Sequence, residues 1–178
     1  LPISTIASRR KWIGAGAGAS LVAAGAFVYR AAPAFWNQYR SEMSRPIHPP
    51  PHRPDPKKWP DKGLHAAWLG HSTVLLKIDG FTILTDPVFS ARAGIDLGIT
   101  TLGVKRLVEP ALGMADLPHV DLLLLSHAHM DHFDTPSLKQ LESPARDVIT
   151  ARQTSDLLRV RQYRSVSEIG WGEEHQVG

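Results

Sequence analysis

The pattern of hydrophobic and polar positions changes character at about residue 64. Before that point, an uncharged apolar run covers residues 12–29 and is followed by a proline-rich stretch. After it come short apolar runs that alternate with polar residues and are separated by turn-forming pairs, a pattern typical of strands. The first three predicted strands are residues 64–69, 73–78 and 81–85, with Asp79-Gly80 as the hairpin turn between the last two.

The second part of the chain mixes strand and helix patterns. Four consecutive leucines bounded by polar residues, within 120–126, predict a strand buried on both faces. Residues 89–117 are glycine-rich and predict no regular element. The later elements predicted are helices near 136–141 and over 151–160, the latter with Thr150 as its N-cap, and strands at 147–149 and 166–169. Hairpins followed by alternating strands and helices predict an α+β domain with a mixed sheet.

The apolar run near the N-terminus suggests a membrane role. Arg9, Arg10 and Lys11 precede it, and as a helix residues 12–29 would extend about 27 Å, barely enough to cross a bilayer. We expect a single-pass anchor. A cleaved export signal to the periplasm is the alternative, because residues 8–13 resemble a twin-arginine signal and Ala32-Pro33-Ala34 could be cleaved. A soluble helix is disfavoured because the run has no polar face.

These patterns predict three segments. Residues 1–44 form the basic and apolar N-terminal segment, 45–63 a linker, and 64–178 the globular part. Six prolines between Arg45 and Pro56 exclude a helix or a central strand there, so we interpret the linker as a semi-extended spacer. A proline-rich backbone does not place His48 and His52 on one face, and we expect both to be solvated rather than to bind metal.

Charge and composition narrow the choice of partners. The net charge is +3, but residues 1–63 carry +7 and residues 64–178 carry −4, so the basic excess lies beside the apolar run. This distribution favours a membrane surface over nucleic acid, and we expect no nucleic-acid partner. The chain has no cysteine, which excludes disulfides and thiolate metal sites. Any metal must therefore be bound by histidine and carboxylate.

One cluster carries the candidate chemistry, the string His127-x-His129-x-Asp131-His132 after the leucine strand. Imidazole and carboxylate suit Zn²⁺ or a similar divalent ion. In an extended turn His127 and His129 point the same way and can reach one ion, while Asp131 and His132 can serve a second. Two ions about 3.5–4 Å apart would supply hydroxide at neutral pH and clamp the reacting group.

The string and its neighbours resemble the metallo-β-lactamase superfamily. The matching segments are residues 68–73, 84–89, 124–132 and 170–173, and they are similar to the branch with N-acyl-phosphatidylethanolamine-hydrolysing phospholipase D and bacterial ascorbate-lactonase-like proteins. The resemblance implies an αββα sandwich. It also implies a first metal on His127 and His129 and a second on Asp131 and His132, with Asp131 catalytic in orienting the hydroxide.

Two further residues are implicated less directly. By the same resemblance Asp86 holds a metal-ligating histidine in place without binding the metal itself; the alternative is a turn-forming aspartate before Pro87. His71 follows Gly70 at a strand end and could line the pocket, or could equally be a hydrogen-bonded structural histidine. We expect two divalent ions in all, with Zn²⁺ favoured over Mn or Fe.

The match covers the first half of the family's fold. Its later ligands lie in the second half, and after His132 this chain has only His175, which follows Trp171-Gly172-Glu173 too closely to match. We therefore expect an N-terminal fragment of a metal-dependent hydrolase that cleaves an ester, lactone or phosphodiester of a small molecule or lipid. The alternatives are an incomplete, inactive metal-binding fragment and a membrane-tethered interaction module.

Overall fold

The computed structural model describes residue 30 and residues 32–96 and 101–177. The chain forms two compact units, residues 1–45 and 46–178. The described part of the first unit contains one helix, α1 (Pro33–Ser44), which buries none of its residues. The predicted apolar helix at 12–29 and the basic triplet before it lie outside the described residues. Within the described ranges, the helices are all too short or too polar to span a bilayer.

The second unit is built on a mixed six-stranded sheet in the order β1-β2-β3-β6-β7-β8. β1, β2 and β3 pair antiparallel, and β3, β6, β7 and β8 pair parallel. A separate two-stranded sheet pairs β4 with β5. The elements are β1 (Leu64–Gly70), β2 (Thr73–Ile78), β3 (Phe81–Thr85), β4 (Arg92–Asp96), β5 (Thr101–Lys105), β6 (Leu122–Leu124), α2 (Thr135–Gln140), β7 (Asp147–Ala151) and β8 (Ser165–Ile169).

The core lies along one row of the sheet. Leu75, Leu84, Leu123 and Val148 are directly opposite one another on β2, β3, β6 and β7, and all four are fully buried. Leu138 of α2 belongs to the same cluster. Each such side chain contributes about 1.5–3 kcal/mol on burial, so this row fixes the register of the four strands.

The hairpin between β2 and β3 confirms the predicted turn. Asp79 and Gly80 both have positive φ, 46° and 90°, as a two-residue hairpin turn of this hand requires. The Asp79 carboxylate also accepts a hydrogen bond from the backbone N–H of Gly63 (2.9 Å). The turn thereby ties the start of β1 to the end of β2.

The glycine-rich region predicted to lack regular structure contains the β4–β5 hairpin. Gly94 lies opposite Gly103 in this pair, and a Cβ atom on Gly103 would come within 2.6 Å of the Gly94 Cα. Glycine has low strand propensity, so the sequence pattern concealed both strands. Close backbone packing, which only glycine permits, explains why the hairpin forms here.

The helix predicted over residues 151–160 is wrong. β7 continues to Ala151, and short 3₁₀ turns follow at Ser155–Leu157 and Val160–Gln162. Gln153 has a φ of 62°, which no α-helix accommodates. The backbone N–H groups of residues 153, 154 and 155 instead donate to the carboxylate of Glu168 on β8, at 2.9, 3.1 and 2.8 Å. At residues 154 and 155 this tertiary contact replaces the hydrogen bonds that a helix would have made, and at residue 153 it pairs an N–H that a helix would leave free.

The proline-rich segment from Pro46 onward belongs to the second unit and contacts the rest of it. The backbone N–H of His48 donates to Leu107 (2.9 Å), and the His48 carbonyl accepts from Glu109 (2.9 Å). Pro56 is buried, and Trp59 packs against the core.

Candidate metal centre

The predicted site residues meet at one edge of the sheet. β3 and β6 are parallel neighbours, so Asp86, after β3, and Ser126, after β6, emerge side by side. β2 runs antiparallel to β3, which brings the β1–β2 turn at His71 and Ser72 to the same edge. The hydroxyl of Ser72 donates to the carbonyl of Asp131 (3.3 Å), so the turn and the histidine loop touch.

Asp86 is buried beneath this loop. Its Oδ1 accepts the backbone N–H of Ser126 (2.8 Å), and its Oδ2 accepts the Ser126 hydroxyl (2.7 Å). Oδ2 also lies 2.9 Å from Nδ1 of His132. A carboxylate can only accept, so the His132 proton belongs on Nδ1 and the lone pair of Nε2 is free.

The Ser126 hydroxyl extends this arrangement to a second histidine. Its single proton is used on Asp86, so it accepts from Nδ1 of His127 at 3.0 Å, and Nε2 of His127 is free as well. Sequence reasoning did not assign Ser126 to the site. The available signal was a hydroxyl residue directly between a buried strand and the first histidine.

The loop after Ser126 folds back on itself. The carbonyl of His129 accepts the backbone N–H groups of His132 (2.9 Å) and Phe133 (2.7 Å), which closes a tight turn. The ring centroids of His127 and His129 are 4.5 Å apart, and those of His127 and His132 are 4.2 Å apart. The imidazole of His127 therefore contacts the imidazoles of both His129 and His132.

Asp131 faces His71 as well as His132. One of its oxygens, Oδ2, lies 3.4 Å from Nε2 of His71 and 3.7 Å from Nε2 of His132. Burial tends to raise the pKa of Asp131, but a hydrogen bond from its own backbone N–H and the adjacent imidazoles of His132 and His71 outweigh that effect and hold the pKa below its ordinary value. The carboxylate is thus ionised, as a metal ligand must be.

The donor set fits a divalent cation. Among the described residues one group of three potential ligands has its donor atoms within 4.8 Å of one another, and it consists of His71, Asp131 and His132. His127 and His129 lie beside this group without joining it. His175 is exposed and, with His48, lies outside the group.

A cleft of about 1190 Å³ opens beside the cluster. His71, His129 and Asp131 line it on one side, and its remaining wall is mainly apolar. The apolar part includes Val104 of β5, which is 60% exposed. Arg106 adds a cation to the wall and donates to the carbonyls of Val88 and Ser90. The cleft can accommodate a ligand with an apolar portion next to the histidines.

Comparison with known proteins places the chain in a family. The model described as "Beta-lactamase superfamily domain" matches residues 66–177, more than half of the chain. N-acyl-phosphatidylethanolamine-hydrolyzing phospholipase D 1 of Caenorhabditis elegans is 30% identical over 123 residues, which cover 65% of this chain and 34% of that protein. An uncharacterized protein of Mycobacterium bovis is 40% identical over 103 residues, 57% of this chain and 27% of the relative.

A solved structure is also similar. The isothiocyanate hydrolase from Delia radicum gut bacteria has a TM-score of 0.49 and 22% identity, with 63% of this chain and 43% of that chain covered. The chain spans about a third of the length of the curated relatives named above. The family match over residues 66–177 includes Asp86 and the whole histidine string. The chain belongs to the metallo-β-lactamase superfamily.

Proposed function

We propose that this protein hydrolyses a lipid phosphodiester with the help of two divalent cations, Zn²⁺ being the favoured ion. The observation that carries the proposal is the histidine and aspartate cluster at the mouth of a largely apolar cleft. The relative from Caenorhabditis elegans is named for cleavage of a phospholipid, which agrees with this substrate class. Cleavage of an ester or lactone by the same groups is the less favoured form of the proposal.

The residues at the sheet edge have separate tasks in this proposal. When bound, two divalent cations would supply a water nucleophile of lowered pKa and neutralise charge on the phosphoryl oxygens. His127 and His129 would hold the first cation, and Asp131 and His132 would hold the second. Asp131 would also orient the water by hydrogen bonding. Asp86 keeps the imidazole of His132 oriented through Nδ1.

The cleft supports a substrate that is both apolar and anionic. Val104 and its neighbours would contact an acyl chain, and the guanidinium of Arg106 on the same wall would attract a phosphodiester. Burial lowers the pKa of Arg106, partly offset by Asp134, but an arginine remains charged after such a shift. A neutral lactone would make no use of this cation.

The activity is tested with the full-length protein and zinc. The substrates are phospholipid vesicles, a water-soluble bis-aryl phosphodiester and a short-chain lactone. We expect zinc-dependent cleavage of both phosphodiesters, lost in the His127→Ala/His129→Ala double variant. Cleavage of the lactone alone would contradict the phosphodiester proposal and favour a lactonase. Undiminished phosphodiesterase activity in the double variant would rule out a role for His127 and His129.

The apolar wall is tested separately by Val104→Asp. Because Val104 is exposed, the variant should fold, but the carboxylate would oppose an acyl chain in the cleft. We expect KM for the vesicle substrate to rise about tenfold, the effect of roughly 1.4 kcal/mol, with no change for the soluble phosphodiester. Val160→Asp is the matched control, since Val160 is also exposed (43%) and lies outside the cleft. An equal effect of both variants would contradict the proposed binding mode.

We also propose that residues 12–29 bring the domain to a membrane, as an anchor or as an export signal. The support is the sequence itself, an uncharged apolar run after Arg9, Arg10 and Lys11. Fractionation of cells that express the full-length protein tests the idea. Recovery in the membrane or periplasmic fraction is expected, and a variant without residues 9–29 should leave that fraction.

A further inference from the structure

We infer that His71 is a ligand of the second metal ion, together with Asp131 and His132. The inference rests on the proposed function, since it adds a third protein ligand to a cation that function requires. It is motivated by the backbone at His71, which adopts a φ of 53°. A non-glycine residue in this region is uncommon and costs free energy, and such residues concentrate at functional sites.

Several contacts hold His71 in this conformation. The indole N–H of Trp68 donates to the carbonyl of His71 (2.7 Å), although the Trp68 side chain is itself largely exposed. The next carbonyl, that of Ser72, accepts the hydroxyl of Thr85 (3.2 Å). Because the carbonyls of His71 and Ser72 both accept hydrogen bonds from side chains, the backbone of the turn is fixed and directs the imidazole of His71 toward the histidine loop.

The distances match a shared cation better than a simple ion pair. Zinc–nitrogen and zinc–oxygen bonds of about 2.1 Å in a tetrahedron separate neighbouring donor atoms by about 3.4 Å. Oδ2 of Asp131 lies 3.4 Å from Nε2 of His71 and 3.7 Å from Nε2 of His132. An ion pair of His71 and Asp131 alone would not require the second imidazole to converge on the same oxygen.

The imidazole of His132 is also in the tautomer that coordination needs. Nδ1 of His132 is occupied by Asp86, which leaves Nε2 for the cation. The side chains of His71 and Asp131 are 46% and 47% exposed, so an ion can enter from the cleft. Two imidazoles and one carboxylate are the ligand types of a recognised kind of catalytic zinc site.

The test measures zinc binding by the full-length protein, in competition with a chromophoric chelator. His71→Gly removes the imidazole and accepts the positive φ at no cost, and His71→Asn is a second variant that tolerates it. We expect the weaker of two zinc equivalents to lose affinity by about tenfold or more in both variants, with the tighter equivalent unchanged. The visible absorption of the cobalt-substituted protein should change as well.

His119→Ala is the matched control. His119 is an exposed imidazole that also lies beside an aspartate, 3.2 Å from Asp121, but among the described residues it belongs to no group of three potential ligands. The zinc affinities of the His119→Ala variant should equal those of the wild type. Two zinc equivalents of wild-type affinity in both His71 variants would overturn the inference and leave the proposed function intact, whereas a wild-type protein that binds no zinc would overturn both.

Discussion

The carboxylate of Asp86 and Nδ1 of His132 lie 2.9 Å apart, although 45 residues separate them along the chain. The contact forms because β3 and β6 are adjacent parallel strands that end at the same edge of the sheet. It leaves Nε2 of His132 free of that contact. The predicted role of Asp86 in holding a ligand histidine agrees with this geometry and stays a prediction.

Asp86→Asn should weaken metal binding without unfolding the protein. The amide is isosteric and asparagine tolerates the φ of 35° at this position, but the negative partner of His132 is lost. We expect one zinc equivalent to bind about 10–100-fold more weakly in chelator competition. Asp121→Asn is the control, because Asp121 also accepts a backbone N–H, that of Thr82, away from the site. Equal losses in both variants would indicate a general structural effect.

Ser126→Ala should act mainly on His127. The substitution removes the acceptor for Nδ1 of His127 and one of the donors to Asp86. The imidazole then loses its fixed orientation, so the affinity for the ion held by His127 should fall several-fold, about 1 kcal/mol, the usual net contribution of one hydrogen bond. Isothermal titration with zinc measures this change. Ser165→Ala, which removes a comparable bond to Asp147 (2.7 Å), should leave zinc affinity unchanged.

Glu168 should make the stability of the β7–β8 region depend on pH. Hydrogen bonds from Ser155 and from the backbone of residues 153 and 154 lower its pKa from 4.5 to about 2. The unfolded state therefore binds this proton more readily, and the stabilisation is present above about pH 4.5 and is lost as the pH falls toward about 2. The melting temperatures of wild type and Glu168→Gln should converge over that interval.

The matched control for this experiment is Glu174→Gln, an exposed glutamate near the end of the chain. Its melting temperature should follow that of the wild type at every pH. A constant difference between wild type and Glu168→Gln from neutral pH down to about pH 2 would contradict the assigned titration.

Gly103→Ala should disrupt the β4–β5 hairpin. A Cβ atom there would collide with the backbone of Ala93 and Gly94, which flexible side chains cannot relieve. Hydrogen exchange over 92–96 and 101–105 should become faster, with a loss of about 1–3 kcal/mol in local stability, the usual range for overpacking. In Gly113→Ala the added atom meets only the Asp116 carboxylate, at 3.3 Å, and exchange should be unaffected.

The wrong prediction of a helix at 151–160 and the failure to predict the β4–β5 hairpin share one cause. The pattern of Ala151–Val160 favours a helix locally, but Glu168, on another strand, accepts the backbone N–H groups that such a helix would use. The β4–β5 hairpin was not predicted because Gly94 and Gly103 carry no strand signal, and only their pairing makes the close approach favourable. In both places a contact distant in sequence outweighs the local preference.

The sequence alone determined the strands with alternating or continuous apolar residues, the Asp79-Gly80 turn and the string His127-x-His129-x-Asp131-His132, because each is encoded within a few neighbouring residues. The sequence also implicated Asp86 and His71, but only the tertiary structure decided how these distant residues reach that string. Asp86 reaches His132 through parallel pairing of β3 with β6, and His71 reaches Asp131 because β2 runs antiparallel to β3. Strand order is set by the burial of the whole sheet, and no local pattern contains it.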